Sequence, residues 1–340
     1  MRKFKIGILG ATGNVGAQLL NLLESWDENK INLDGPPRLF GTKKSAGREI
    51  DFKNHEIIVQ DSLPENFEGL DIILSTATSD VSEKLVPEAL KRGVKLVIDT
   101  DSFYRMNESV PLITAGVNDH DIDWHKGIIA GPNCTTAQLI LPLHALNKAF
   151  GLKRVVVSTY QAISGAGKGP MDLMIQDCQE VLKNPEYIKR IRDTQVAFNV
   201  IPMISSLLED GYSKEERKVC IESRKMLNYP DLQLTCTAVR VPVMTGHSES
   251  VNIELKKSFN LNEVNEVLKN QEYIQLWEDW SKYPMPLDVA YTEPVHVGRV
   301  RIDQSQPNTL DMWVVADNLW IGAALNALRI AEKAIERGKV

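Results

Sequence analysis

The sequence predicts an α/β plus α+β architecture: a parallel sheet with helices on both faces, then a second domain built on a mixed sheet. Short apolar runs alternate with helical patterns over the first hundred residues. After Cys134 the strands lengthen and become β-branched, and a glycine-rich turn joins the first strand to the first helix. A length of 340 residues suits two domains.

The elements follow in order. KFKIGILG reads as a strand, and NVGAQLLNLLESW as a helix with apolar residues at spacings of three and four. PRLFG, HEIIVQD and DIILSTA are expected as further strands, VSEKLVPEALKRG as a helix stopping at Gly93, and KLVIDT as the next strand. Apolar strands alternating with helices are the pattern of a buried parallel sheet. Beyond Cys134, LKRVVVSTYQAIS, LTCTAVRVPV, SESVNIELK, HVGRVRIDQ and TLDMWVVAD read as longer strands, and Lys168 to Leu182 as a helical segment. The last segment carries the helical stripe Ile321, Ala324, Leu325, Leu328 and Ala331.

Net charge is −6, so nothing favours nucleic acid or an anionic membrane, which both want a basic face. No stretch approaches the roughly 18 apolar residues of a membrane span. The N-terminal MRKFKIGILGATG is expected as a first strand rather than a signal peptide, because its apolar run is short and breaks at glycine. Cys134, Cys178, Cys220 and Cys236 form no Cys-x-x-Cys pair and no zinc spacing, so no metal is expected and a reducing cytoplasm fits.

Gly10-Ala11-Thr12-Gly13-Asn14-Val15-Gly16 follows a strand and opens a helix. Small residues let a pyrophosphate approach the backbone, and the helix N-terminus offers N–H groups and a positive dipole end. A tight turn needing glycine for geometry alone is the other reading. The strand–helix context favours a nucleotide site, hence a Rossmann-type dinucleotide-binding domain. The end of the next strand holds no carboxylate for a ribose 2′-hydroxyl. It holds Thr42, Lys43, Lys44 and Ser45, which suit a 2′-phosphate and point to NADP.

Cys134, after Gly131-Pro132-Asn133, falls at or near the first turn of a helix, where dipole and N–H groups favour a thiolate. A small buried hydrophobe is the other reading, and position alone leaves both open. Gln161 lies at a strand end before a glycine-rich turn, and Arg240 and His247 lie on or just beyond another strand. A lone histidine is more often structural. A cysteine, a histidine and a dinucleotide turn together suggest hydride transfer through a thioester. The other three cysteines read as packing.

These motifs occur in order: Gly10-Ala-Thr-Gly-x-Val-Gly16, Ser45-Ala-Gly47, Pro132-Asn-Cys-Thr135, Tyr160-Gln-Ala-x-Ser164-Gly165-Ala-Gly-Lys168, Arg240-Val-Pro-Val, Gly246-His-Ser-Glu-Ser250 and Asp317-Asn-Leu319. Along nearly its whole length the chain resembles aspartate-β-semialdehyde dehydrogenase. The resemblance implies reversible reductive dephosphorylation of L-aspartyl 4-phosphate by NADPH to L-aspartate 4-semialdehyde and phosphate, a step toward lysine or diaminopimelate, methionine and threonine. It implies Cys134 as nucleophile, His247 as the acid/base at the hemithioacetal oxygen, and Gln161 as the residue that orients substrate and thiol. Arg240 would clamp the α-carboxylate and Glu215 the ammonium group, with Lys218, Arg105 and Asn133 on the phosphate. For Glu215, Lys218 and Arg105 a solvated charged segment is the alternative. Gly10, Thr12, Gly13, Asn14, Val15, Gly16, Thr42, Lys44, Ser45, Ser164 and Gly165 would serve NADP, and Asn318 would lie near the nicotinamide. Residues 1–132 with 317–340 would form the NADP-binding domain, and 133–316 the catalytic and dimerisation domain of a homodimer or dimer of dimers.

The sequence departs from the family pattern in places. Asp101 adds a carboxylate in Asp99-Thr-Asp-Ser-Phe-Tyr-Arg105, where it would repel phosphate and cofactor unless it points away. Ala115-Gly116 replaces Pro-Glu, Lys44 replaces an arginine, and Gly131 replaces an asparagine. Alternatives are a reductase of another small acyl phosphate, such as N-acetyl-γ-glutamyl phosphate, or of an acyl thioester. From another class, the alternative is a catalytically silent nucleotide-binding paralogue.

Overall fold

Strands that are apolar on both faces must be covered on both sides, and the connections between them must be long enough to carry a helix. The computed structural model describes residues 2–183 and 193–340. The chain divides into two compact units, Met1–Asn133 with Gly322–Val340, and Cys134–Ile321.

In the first unit β1 (Ile6–Leu9) leads to α1 (Asn14–Ser25), β2 (Arg38–Gly41), β3 (Glu49–Phe52), β4 (His55–Ile58), β5 (Gln60–Asp61), β6 (Ile72–Ser75), α2 (Ser79–Lys91), β7 (Leu96–Asp99) and β8 (Ile128–Ala130). The sheet order is β5-β2-β1-β6-β7-β8, and every pairing is parallel. β1, β6 and β7 are buried at every residue, as their continuous apolar runs require. From β1 the chain builds outward to β2 and later returns to β6 on the other side. The strand order therefore reverses at the C-terminal end of β1, where open α/β sheets form their ligand crevice.

One expected strand is divided. In HEIIVQD, His55–Ile58 pairs antiparallel with Glu49–Phe52, and only Gln60–Asp61 joins the parallel sheet, at its edge. The cause is a tight turn: Lys53 and Asn54 both take positive φ, 44° and 66°, which reverses the chain into a hairpin.

The second unit opens with α3 (Cys134–Phe150), β9 (Leu152–Gln161), α4 (Lys168–Leu182), α5 (Lys214–Met226), β10 (Gln233–Arg240) and β11 (His247–Leu255). It continues with α6 (Leu261–Lys269), β12 (Ile274–Trp277), the short α7 (Pro286–Val289), β13 (Val295–Ile302) and β14 (Thr309–Ala316). Its six-stranded sheet has the order β10-β9-β11-β14-β13-β12. The β9–β10 and β12–β13 pairs are parallel and the others antiparallel, so the sheet is mixed. α3 packs on β9, β11 and β14, and α5 on β10. Alternate residues of β11, from His247 through Glu249, Val251 and Ile253 to Leu255, are buried.

A turn of π-helix, Trp320–Ala324, precedes α8 (Leu325–Glu336), which returns to the first unit and packs on α1, β6 and β7. The division falls at Gly322, later than the expected 317. Asp317 and Asn318 explain the difference. The Asp317 carboxylate accepts the N–H groups of Leu319, Trp320 and Tyr291 at 2.8–3.1 Å. Asn318 is bonded to Gly246 and Ser164, so both residues are built into the second unit. Among the described residues no helix is long and apolar enough to cross a membrane.

Candidate active site

Cys134 is the first residue of α3, so its thiol sits at the helix's positive end. Its Sγ lies 3.3 Å from Nε2 of His247, the first residue of β11. His247 is fully buried, and its Nδ1 accepts the Ala162 N–H at 3.0 Å. That bond assigns the ring proton to Nε2, facing the sulfur. Burial, and secondarily the Arg240 guanidinium, hold the His247 pKa well below its ordinary value, so the ring is neutral.

Arg240 ends β10 beside Gln161, which ends β9. The Arg240 guanidinium donates to the Ala162 carbonyl. One residue, Ala162, thus orients both through its backbone, the imidazole by its N–H and the guanidinium by its carbonyl. Burial lowers the Arg240 pKa, while Cys134 and Glu215 act electrostatically to raise it. The Gln161 side chain is enclosed: Thr159 Oγ1 donates to its Oε1 at 3.0 Å, and its Nε2 donates to Glu215 Oε1 at 3.2 Å. Those contacts fix the orientation of the amide.

The charged KEERK segment is not a solvated face. Ser213 caps α5 through a reciprocal box with Glu216, and Glu215, Glu216 and Glu222 are buried. Lys218, one turn after Glu215, approaches it at 3.9 Å and is one-third exposed. Gly165 packs against the site: a Cβ there would lie 3.3 Å from His247 and 3.6 Å from Arg240. Ser164 is bonded to Asn318, whose Oδ1 accepts the Gly246 N–H at 2.9 Å.

In the first unit, Gly10 has φ +86°, and a Cβ on Gly16 would run into the Gly10 carbonyl. The turn therefore needs glycine both for its bend and for seating α1 on the strand. α1 begins after Gly13 with no side-chain cap and no acidic residue in its first turn, with Asn14, Val15 and Gly16 as its leading residues and Thr12 exposed before it. A dinucleotide pyrophosphate fits such an end. Gly10 and Ala11 N–H groups both bond to Phe40 O, so the end of β2 lies beside this turn. Thr42, Lys43 and Lys44 are exposed there. Ser45 is turned inward instead, its hydroxyl donating to Thr42 O at 3.0 Å. It closes the turn rather than facing solvent.

Two further expectations change. Arg105 is buried, and its guanidinium donates to the carbonyls of Gly131 (2.9 Å) and Thr100 (2.7 Å). It braces the strand end that leads to the buried Asn133. The Asp101 carboxylate is engaged within its own segment and with α2, accepting the Phe103 N–H and Ser79 Oγ. Ala115 N–H donates to Asn326, and Gly116 takes φ +83°, which fits glycine in that turn. A Cβ on Gly131 would meet only ordinary contacts at 3.8 Å, so nothing in the structure explains glycine there. No group of three or more His, Cys, Asp or Glu could hold a metal among the described residues.

Thr159, Ala162, Asp317, Gln138 and Glu249 were not read as site residues. Ala162 works through its backbone, which leaves no side-chain signal. Glu249 had one: it lies two residues after His247 on a strand, hence on the same face.

Two family models match the chain: semialdehyde dehydrogenase, NAD binding domain, over residues 5–125, and semialdehyde dehydrogenase, dimerisation domain, over residues 143–321. The chain is 42% identical to aspartate-semialdehyde dehydrogenase of Bacillus subtilis, covering 97% of each chain. It is 39% identical to that of Prochlorococcus marinus, covering 99% of this chain and 97% of the other. Among solved structures, aspartate semialdehyde dehydrogenase II of Vibrio cholerae superposes with a TM-score of 0.92 at 34% identity, over 98% of this chain and 99% of that one. The same Vibrio cholerae protein complexed with ASA also gives 0.92. With both halves matched and the relatives aligned end to end, the chain belongs to the aspartate-semialdehyde dehydrogenase family.

Proposed function

We propose that this protein is an NADP-dependent phosphorylating aldehyde dehydrogenase that interconverts L-aspartyl 4-phosphate and L-aspartate 4-semialdehyde through a Cys134 thioester. The observation that carries the reading is the 3.3 Å contact between Cys134 Sγ and a neutral, backbone-anchored His247. The intact pair also counts against a silent paralogue.

Cys134 thiolate attacks the acyl carbon of the acyl phosphate, and the carbon–oxygen bond to phosphate breaks. The leaving phosphate takes up the proton of the overall reaction. When bound, a nicotinamide dinucleotide would supply the hydride that reduces the thioester carbon. The resulting hemithioacetal oxyanion expels the thiolate and leaves the aldehyde. His247 manages the charge as a donor: its Nε2–H faces first the thiolate and then the carbonyl oxygen. A neutral ring whose Nδ1 is engaged needs no net proton transfer for this. Arg240 supports the thiolate electrostatically and clamps the α-carboxylate. Glu215, steadied by Gln161, takes the ammonium group. Lys218 and Asn133 serve the phosphate, with Arg105 holding the Gly131–Asn133 segment in place. Gly10 to Gly16 hold the pyrophosphate, and exposed Thr42 and Lys44 receive a 2′-phosphate. Ser45 shapes that turn, while Ser164, Gly165 and Asn318 frame the nicotinamide side.

The protein works as a homodimer, in keeping with the dimerisation-domain model, in a reducing cytoplasm that suits its free cysteines. It feeds lysine or diaminopimelate, methionine and threonine synthesis. The test is a spectrophotometric assay with aspartate semialdehyde, with and without phosphate, comparing NADP with NAD. Sustained NADPH formation that requires phosphate is expected. Turnover independent of phosphate, or none with either dinucleotide, would sink the proposal.

A further inference from the structure

Behind the Cys134–His247 contact lies a second pair that the reaction does not touch. Cys134 and Gln138 are one turn apart on α3, and His247 and Glu249 are two apart on β11, so each couple shares a face. Gln138 and Glu249 are both fully enclosed. Gln138 Nε2 donates to the His247 carbonyl at 3.2 Å, and the same amide lies against the Glu249 carboxyl. Both Glu249 oxygens and Gln138 Oε1 are nevertheless buried with no donor upon them.

Buried acceptors without a donor are unstable, each orphan costing roughly 1–3 kcal/mol. One proton on the carboxyl removes the conflict by turning an acceptor into a donor. The surroundings offer no other source. Thr159 of β9 and Val314 of β14 flank Glu249 in the sheet, and the Thr159 hydroxyl already donates to Gln161. On β10 the neighbouring titratable group is Cys236, a buried thiol that Glu249 acts on electrostatically. Among the described residues no cation pairs with Glu249. Burial raises its pKa well above the usual glutamate value; the nearby Gln138 amide works in the other direction, and its N–H is committed to the His247 carbonyl rather than to the carboxyl.

We propose that Glu249 is a positioning residue whose carboxyl O–H donates to Gln138 Oε1, so that Gln138 Nε2 holds the His247 carbonyl and thereby the ring that meets Cys134. The inference rests on the Cys134–His247 reading of the site. The proton on Glu249 stays put through the reaction, and Gln138 is a strut between helix and strand.

The experiment compares wild type, Glu249→Gln and Glu249→Ala. Infrared difference spectra at neutral pH should show the carbonyl stretch of a protonated carboxylic acid in wild type and its loss in Glu249→Gln. Glu249→Gln, whose amide N–H replaces the O–H, should keep most of its activity. Glu249→Ala should lose about tenfold or more in kcat with KM little changed. Thermal unfolding supplies an independent readout. A glutamate with a raised folded pKa contributes stability that is fully present below its ordinary value, about 4.3, and lost as pH rises toward the folded value. Glu249→Gln should therefore unfold above wild type at neutral pH and lose that advantage in acid. An ionised Glu249 at neutral pH, or a Glu249→Gln variant as impaired as Glu249→Ala, would overturn the proposal. If Glu249→Ala does not fold, the infrared band and the Glu249→Gln melts decide it. Absence of dehydrogenase activity in wild type would overturn the reading of the site, and the band would still decide the state of Glu249.

Discussion

Gly165 touches the imidazole of His247 closely enough that a methyl group there must move the ring or the chain, its Cβ lying 3.3 Å from Nε2 and Cε1. Gly165→Ala is expected to lower kcat roughly ten- to hundredfold, since small misplacements near a reacting atom have large effects. Far-ultraviolet circular dichroism should remain that of the wild type. An unchanged kcat would show that the ring tolerates the shift. His247→Asn should lower kcat by about a hundredfold or more while substrate binding persists, read by steady-state kinetics and ligand titration. At this scale the sequence was informative where chemistry depends on side chains. Cys134, Gln161, Arg240 and His247 stand in motifs whose order named them. It was silent where a backbone group or a hidden partner does the positioning. Ala162 orients two side chains through its N–H and carbonyl, and Thr159 fixes the Gln161 amide from within the sheet. The surroundings of Arg105 and Asp101 were not legible, because charge alone does not tell that a side chain is bonded to the protein's own carbonyls and hydroxyls.

The strands of the first unit were legible because continuous apolar runs admit few other structures. HEIIVQD was not, because hairpin and parallel edge strand have the same composition, and the two positive-φ residues before it decided the matter. KEERK reads as a surface helix by charge, yet α5 buries Glu215 against Gln161 and Glu216 in the helix cap, which periodicity does not reveal. Where β7 meets α2, Asp99 is fully buried, and Ser82 donates to it at 2.9 Å. Burial pushes its pKa up to about 6. Its contribution to stability is fully present below the ordinary aspartate value, about 3.9, and lost as pH rises through about 6. Asp99→Asn keeps an oxygen for Ser82 and removes that loss. The variant should gain on the order of 2–3 kcal/mol over wild type above that range, and nothing near pH 4, as measured by denaturant unfolding. A stability difference that does not change with pH would contradict the placement of a desolvated carboxyl there.

Across the whole molecule, two units are built on two kinds of sheet. One is a parallel sheet whose strand order reverses at a glycine turn, the other a mixed sheet whose helix begins with a cysteine. The sequence showed both sheet types through strand length and β-branching. It put the return to the first unit at 317 because Asp317 and Asn318 look like the start of the last helix, while their hydrogen bonds tie them to Tyr291, Gly246 and Ser164 of the second unit. The claim on which the rest depends is that Cys134 carries the acyl group. It is tested most directly by mixing the protein with aspartate semialdehyde and NADP in the absence of phosphate, quenching in acid, and mapping peptides by mass spectrometry. Expected is one equivalent of NADPH per active site, with an aspartyl group in thioester linkage at Cys134 that phosphate releases. An unmodified Cys134 after that NADPH has formed, or an acyl group on another residue, would contradict it.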